Sequence, residues 1–416
     1  MCQTVVLIAV SHYDNLGTGY LSSVLSSAGY RTRIINAFRQ NYEIFRTIKS
    51  LDPLLIGFSV IFQYHIDVFR DIAGYLRGKG INCHFTAEGH YASLKNRELF
   101  ELIPDLDSIV RFEGEYSLLE LIRCLHKGSD WRQVRSISYR DGGEIIENSL
   151  RPLEKDLDRF PFPFRSPLKK VVFERKMATI IAGRGCIYNC SFCNIRKFYS
   201  QPPGPLKRIR KPEKVVEEML FLYNKKNCSI FFFLDDDFPV RSADSPDWVI
   251  RFCNGLKKND LSGDIMWKIC CRPDEIDREL FEMMKRNGLF RVFLGIEDGT
   301  DHGLKRLNKN MKVAESLRGI WILRDLDIDY DYGFMLFQPH TTFRSLKENL
   351  GFLGHICENG CTPVTFLKLM PVIRISSVWS SSFSSLHFSN SSYSRSLCSG
   401  IGRLCIASKR SLNLPL

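Results

Sequence analysis

Three cysteines set the chemistry of this sequence. In Arg184-Gly185-Cys186-Ile187-Tyr188-Asn189-Cys190-Ser191-Phe192-Cys193-Asn194 they stand at a C-x3-C-x2-C spacing. Three thiolates this close in sequence can converge on one metal centre without help from the rest of the chain. Structural zinc takes four protein ligands in a closed tetrahedron, and no fourth Cys or His lies between Phe173 and Gln201. Iron–sulfur clusters are held by cysteine thiolates, and three of them on a cubane leave one iron open for a substrate or cofactor. A set one ligand short points to the cluster. A zinc site with a remote fourth ligand, and thiols packed as small apolar groups, are the alternatives.

The elements that position these cysteines follow from periodicity. Met177–Ala182 reads as a buried strand, so the cysteines lie on a loop at its C-terminal end, where α/β folds place chemistry. From there strands are expected at Ser229–Leu234, Ile265–Cys270, Phe290–Ile296, Ile328–Leu336 and Pro363–Leu369. Helical patterns alternate with them at Pro212–Tyr223, Trp248–Leu256, Glu275–Arg286, Val313–Arg324 and Ser345–His355. Upstream, strands at Thr4–Val10, Thr32–Ile35, Leu54–Val60, Ile81–Phe85 and Ser108–Val110 alternate with helices, one of them at Leu94–Ile103. That alternation predicts a doubly wound parallel sheet with ligands at the strand C-terminal ends. Residues 134–147, with Asp141-Gly142-Gly143 as a turn, read as a hairpin, and Phe160-Pro161-Phe162-Pro163 as part of a proline-rich linker.

The cysteine spacing, with Phe192 before the third cysteine, resembles the radical S-adenosylmethionine (SAM) superfamily. The resemblance covers residues 4 to about 371. It implies a 4Fe–4S cluster on Cys186, Cys190 and Cys193, with SAM on the open iron and Phe192 near the adenine. Phe231-Phe232-Phe233-Leu234-Asp235-Asp236-Asp237 matches the family's strand ending in carboxylates near the SAM amino group. It implies SAM contact from Asp235 or Asp236, with Asp237 solvated. Arg272 in Cys270-Cys271-Arg272-Pro273-Asp274 would pair with the SAM carboxylate or with a barrel acid. Glu297 in Gly295-Ile296-Glu297 would face the barrel mouth.

The first domain is similar to the cobalamin-binding domain that precedes many radical SAM cores. The matching loops contain Asn15 and Gly17, Ser59, Gly89 and His90, and Glu113 and Gly114, which the resemblance makes cobalamin contacts. No Asp-x-His-x-x-Gly is present, so no histidine ligand for cobalt is expected from that motif. His12, His65, His84 and His90 lie nearby, each read first as a surface or packing residue.

The expected fold class is α/β, an N-terminal doubly wound (Rossmann/flavodoxin-like) parallel sheet followed by a partial (βα)6 radical SAM barrel. The domains expected are 1–130 (cobalamin-binding-like), 131–170 (hairpin and linker), 171–371 (radical SAM core) and 372–416 (aberrant or disordered tail). That tail holds fifteen serines and no acid. Because the change in character interrupts a recognisable turn, a shift of reading frame is favoured over a disordered tail.

The net charge of +12 raises the question of nucleic acid, but five of the basic residues lie in 372–416. The one dense run, Lys207-Arg208-Ile209-Arg210-Lys211, is expected to be a solvated face, with contact to an anionic substrate as the alternative. A nucleic-acid partner is not expected. No apolar run reaches bilayer length, and the first residues, Met1–Val10, read as a strand and not a signal peptide. The thiols need a reducing compartment, so the cytoplasm is expected.

The function expected is reductive cleavage of SAM by a cobalamin-dependent type of radical SAM enzyme. It would act on a small molecule, by methyl transfer to an unactivated carbon or by oxidative cyclisation or rearrangement. The electron donor would be a reductase, flavodoxin or ferredoxin. The alternatives are a methylthiotransferase, against which the first domain's scattered Cys2, Cys83 and Cys124 count, and a non-catalytic sensor or inactive remnant.

Overall fold

The computed structural model describes residues 3–10, 15–165, 168, 170–172, 175–240, 246–358 and 365–366. His12 and the serine-rich stretch 372–416 lie outside the described residues. The chain divides into two compact units. One comprises residues 1–167 and 195–210, and the other 168–194 and the chain from Lys211 on.

The first unit contains strands β1 (Thr4–Ala9), β2 (Arg31–Asn36), β3 (Leu55–Ser59), β4 (His84–Glu88), β5 (Ser108–Val110), β6 (Ile137–Asp141) and β7 (Glu144–Glu147). They form one sheet in the order β2-β1-β3-β4-β5-β6-β7. The first five run parallel; β6 and β7 are antiparallel. Strands β1 and β3 are buried from end to end. This is why they read as continuous apolar runs: helices cover both faces of a parallel sheet. The hairpin turns through Gly142 (φ 54°) and Gly143 (φ 92°), two successive left-handed residues whose twist matches the flanking strands.

Two expectations shift here. Strand β4 starts at His84 and not Ile81, because Arg77 Nη1 donates to the carbonyls of Ile81 and Cys83 and holds that stretch as a loop. The helix expected over Leu94–Ile103 is two pieces, His90–Leu94 and Asn96–Leu102, broken where Lys95 leaves helical geometry (φ −133°).

The second unit contains β8 (Lys170–Val172), β9 (Arg175–Ile180), β10 (Cys228–Phe233), β11 (Met266–Cys271), β12 (Leu289–Glu297), β13 (Asp329–Phe334) and β14 (Thr365–Phe366). Strands β9 to β14 are parallel and lie side by side in chain order, and β8 pairs antiparallel with β9. The sheet is open, as a partial barrel requires.

Burial in this sheet alternates. In β11, Trp267, Ile269 and Cys271 are buried, whereas Met266, Lys268 and Cys270 are half-buried. Trp267 joins Phe233, Phe238, Trp248 and Phe252 in one aromatic cluster. The other face carries Lys268 paired with Asp331 at 2.9 Å. Among the described residues no helix is long and apolar enough to cross a membrane.

Candidate functional site

The cysteine loop leaves the C-terminal end of β9. Its entry is gathered by acids at the end of β10. Both oxygens of Asp235 accept the Ala182 N–H at 3.0 Å, and Oδ1 also accepts the Gly183 N–H at 2.6 Å. Asp236 Oδ2 accepts the Gly185 N–H at 3.1 Å. Bonds of this charge-assisted kind are the strong ones.

The alternation of β10 runs on past the strand. Asp235 and Asp237 are buried, while Leu234 and Asp236 are exposed. Asp237 was expected to be solvated and is instead only 5% exposed. The chain bends at Asp236 and Asp237, and Phe238 returns to the aromatic cluster beside Phe233 while donating its N–H to the Cys270 carbonyl.

The middle of the loop rests on two other strand ends. The Arg272 guanidinium, after β11, lies 3.9 Å over the Tyr188 ring. Tyr188 donates its hydroxyl to Glu275 Oε1 at 2.9 Å. Arg272 is itself buried, gripped through Nε and Nη2 by Asp274 at 2.9 Å each, and donates to the Lys309 carbonyl at 2.7 Å. The segment after the short helix Asp301–Arg306 completes the support. Ser191 N–H donates to the Leu307 carbonyl at 2.9 Å, and Asn308 Nδ2 to the Asn189 carbonyl at 2.7 Å. Tyr188, Glu275 and Asn308 escaped the sequence reading; only the chain's own folding brings them together.

Cys186 and Cys190 are half-buried and Cys193 exposed. Among the described residues no three His, Cys, Asp or Glu side chains are grouped closely enough to hold a single metal ion. The three thiols, carried on one loop at the end of β9, suit a cubane, whose irons take cysteine thiolates. Arg272 Nη1, buried and without a hydrogen-bond partner among the described residues, adds a donor that could meet an acceptor arriving with the cofactors.

Glu297 ends β12 in left-handed geometry (φ 70°). Its Oε1 lies 3.6 Å from Lys309 Nζ. Burial pushes its carboxyl above the usual range, partly opposed by the lysine. The pair occupies space left by glycine: a Cβ on Gly295 would come within 2.8 Å of Lys309 Nζ. Phe192 is half-buried on the loop.

In the first unit the expected cobalamin residues line the C-terminal ends of the strands but serve several purposes. Asn15 caps the helix Leu16–Ser27, which contains Gly17, by accepting the Thr18 N–H at 3.1 Å. Gly89 (φ 113°) admits no side chain, since a Cβ there would lie 2.8 Å from the Val60 carbonyl oxygen. A Cβ on Gly114 would press on Leu21 at 3.3 Å. His90 packs edge-on against Phe198 at 4.1 Å, and burial pushes it down to about 4, so the ring is neutral.

Glu113 is taken by Arg208, whose two terminal nitrogens meet its two oxygens at 2.9 and 2.8 Å. Arg210 pairs with Asp158 at 3.2 Å. The run 207–211 is thus not a solvated face: Arg208 and Arg210 are 5% and 4% exposed, each buried against an acid.

Ser59 hydrogen-bonds Glu88, whose carboxyl burial raises to about 7. Glu88 Oε1 is buried with no partner among the described residues. An unsatisfied polar atom at this edge of the sheet fits a cofactor rich in amide groups, which is what cobalamin presents. Glu88 belongs to the matching loop Glu88-Gly89-His90 but was not counted among the cobalamin contacts.

Residues 180–353 match the radical SAM superfamily and residues 3–122 the B12 binding domain. An uncharacterized methyltransferase of Pyrococcus horikoshii is 23% identical over 343 residues, covering 81% of this chain and 72% of that protein. The anaerobic magnesium-protoporphyrin IX monomethyl ester cyclase of Cereibacter sphaeroides is 30% identical over 269 residues, covering 62% and 42%. Among solved structures, the cobalamin-dependent SAM radical enzyme OxsB, with aqua-cobalamin and SAM bound, superposes with a TM-score of 0.69 at 24% identity, covering 85% and 52%. The radical SAM methyltransferase TsrM from Kitasatospora setae does so at 0.72 and 14%, covering 86% and 71%. The chain thus spans about half the length of the cyclase and of OxsB. At these identities the structural likeness speaks for the fold. A radical SAM domain implies a 4Fe–4S cluster and SAM, and a B12-binding domain implies cobalamin. The two matches, one after the other along the chain, give it a radical SAM domain preceded by a B12-binding domain.

Proposed function

We propose that the chain is a cobalamin-dependent radical SAM enzyme that modifies a small molecule, by methyl transfer to an unactivated carbon or by oxidative cyclisation or rearrangement. The first unit would carry the cobalamin, and Cys186, Cys190 and Cys193 would hold the cluster. When bound, the cluster supplies the electron for reductive cleavage of SAM, and cobalamin a carrier for a methyl group.

The protein's part is positioning. Asp235 and Asp236 fix the backbone that presents the cysteines. Phe192 offers an apolar face for the adenine. Asp236, the more exposed of the two acids, is the one assigned to the SAM ammonium group. Glu297, balanced by Lys309, offers polar contact on the half-buried face of the second sheet. Ser59, Gly89 and Glu88 form the cobalamin edge, with no ligand to cobalt from the buried His90. The electron would come from a flavodoxin, ferredoxin or reductase, and the need for reduced thiols favours the cytoplasm.

The observation that carries this reading is the three-cysteine loop clasped at the end of β9 by the acids of the neighbouring strand. A methylthiotransferase is disfavoured, because Cys83 and Cys124 of the first unit lie on unrelated elements, a loop and a helix. Asp235 and Arg272 do not separate an enzyme from a sensor, since both are engaged in holding the loop. The deciding experiment is anaerobic reconstitution of the full chain with iron, sulfide, SAM and cobalamin. Release of 5′-deoxyadenosine together with a bound cobalamin spectrum is expected. A cluster with no SAM cleavage under strong reductant would turn the reading to a sensor or inactive remnant.

A further inference from the structure

We propose that Arg272 is a positioning residue whose buried guanidinium, stacked on Tyr188, sets both the shape of the cysteine loop and the reduction potential of the cluster that the loop holds. This rests on the cluster reading above and changes the role of Arg272 from a SAM contact to a support.

The geometry is specific. Tyr188 lies two residues from both Cys186 and Cys190, so fixing its ring fixes the arc between two of the three thiols. The ring is held from one side by the guanidinium at 3.9 Å and at its hydroxyl by Glu275. Glu275 Oε2 in turn accepts the Arg272 N–H at 3.3 Å, closing a ring of contacts among the three residues. Asp274 orients the guanidinium through two bonds, a geometry lysine cannot copy.

The electrostatics follow. Arginine stays charged at any accessible pH, and the Arg272 guanidinium lies 3.9 Å over a ring two residues from Cys190. A cluster's potential depends on nearby charge, hydrogen bonding and solvent exposure. Removing Arg272 would leave Asp274 and Glu275 as uncompensated acids beside the loop. Added negative charge disfavours the incoming electron, so the potential should fall.

The test uses the full chain, reconstituted anaerobically as wild type, Arg272→Lys, Arg272→Met, Tyr188→Phe and Tyr188→Leu. Three quantities are read: iron and sulfide content, the midpoint potential from EPR-monitored titration, and the rate of iron loss to a chelator. Arg272→Met should shift the potential to more negative values and speed iron loss severalfold. Arg272→Lys should recover most of the potential but not the chelator resistance, since it restores charge without the fork. Tyr188→Phe should stay close to wild type, and Tyr188→Leu should speed iron loss with a smaller shift in potential.

Wild-type potential and wild-type iron loss in Arg272→Met would overturn the proposal. Should Arg272→Met fail to fold, Tyr188→Leu decides: indistinguishable from wild type in both readouts, it overturns the proposal equally. A wild-type chain that takes up no cluster would instead overturn the cluster reading itself.

Discussion

The two sheets of this protein are both mainly parallel, yet they treat their faces differently. In the first, β1 and β3 are buried throughout, and the residues of chemical interest sit only at the strand ends. In the second, one face is buried and aromatic while the other is half-buried and charged. Lys268 pairs with Asp331, Arg291 lies 3.2 Å from Asp329 and 3.7 Å from Asp331, and Lys309 lies beside Glu297. Charges so placed are costly unless paired. The difference separates a sheet that binds at its rim from one that can also offer a polar surface along its length.

The largest expected effect tests whether the chemistry is confined to the loop. Cys190→Ala should abolish the iron–sulfur absorbance and SAM cleavage, whereas Cys253→Ala, buried in the helix Trp248–Lys258, should preserve both. Full iron content in the Cys190 variant would remove the cluster assignment.

Next comes the charged face. Lys268→Met should cost about 2 kcal/mol by leaving the half-buried Asp331 with only the longer contact to Arg291 at 3.7 Å, measured by urea denaturation. The double variant Lys268→Met/Asp331→Leu should regain most of that loss. If it does not, the pair is needed for more than mutual neutralisation, and the face is specifically polar.

The clasp is tested by Asp235→Ala, which leaves the amides of Ala182 and Gly183 without their carboxylate. A loss of about 2–3 kcal/mol is expected from bonds to a charged acceptor, together with incomplete iron uptake. Unchanged stability and full iron would show that the loop supports itself.

The smallest effect belongs to the rim of the first sheet. The Glu88 carboxyl is raised by burial from 4.5 to about 7 in the folded chain. At pH below 4.5 it is protonated in both states and its contribution is complete. Between pH 4.5 and 7 the unfolded chain ionises first, so stability falls as pH rises, then levels off. Allowing for solvent screening of a half-buried side chain, the loss is on the order of 2 kcal/mol. Glu88→Gln should flatten urea midpoints between pH 5 and 8, and an unchanged slope would exclude Glu88 as the titrating group.

What was readable in the sequence was what neighbouring residues decide. The cysteine spacing, the apolar runs of β1 and β3 and the Asp141-Gly142-Gly143 turn are local, and the structure has the strands and the hairpin turn at those places. What was not readable depends on distant partners. Ile81–Cys83 is apolar enough for a strand, but Arg77 claims its carbonyls. Arg208 and Arg210 look like surface residues until Glu113 and Asp158 are found beside them. Asp237 is buried where the chain bends to bring Phe238 into a cluster whose other members lie on separate elements. The support of Tyr188 by Arg272 and Glu275 belongs to the same class, as no spacing rule links residues 87 apart.

That support also imposes an order in time. Asn308, which bonds the Asn189 carbonyl, lies 119 residues further along the chain. At a synthesis rate of about 5–20 residues per second, it leaves the ribosome roughly 6–24 s after Asn189. Throughout that interval the three cysteines are already made but lack the segment that shapes their loop. Iron delivered early would meet a floppy, disulfide-prone peptide, and iron delivered late would meet a template. Maturation of this centre should therefore favour iron delivered after Asn308 has emerged.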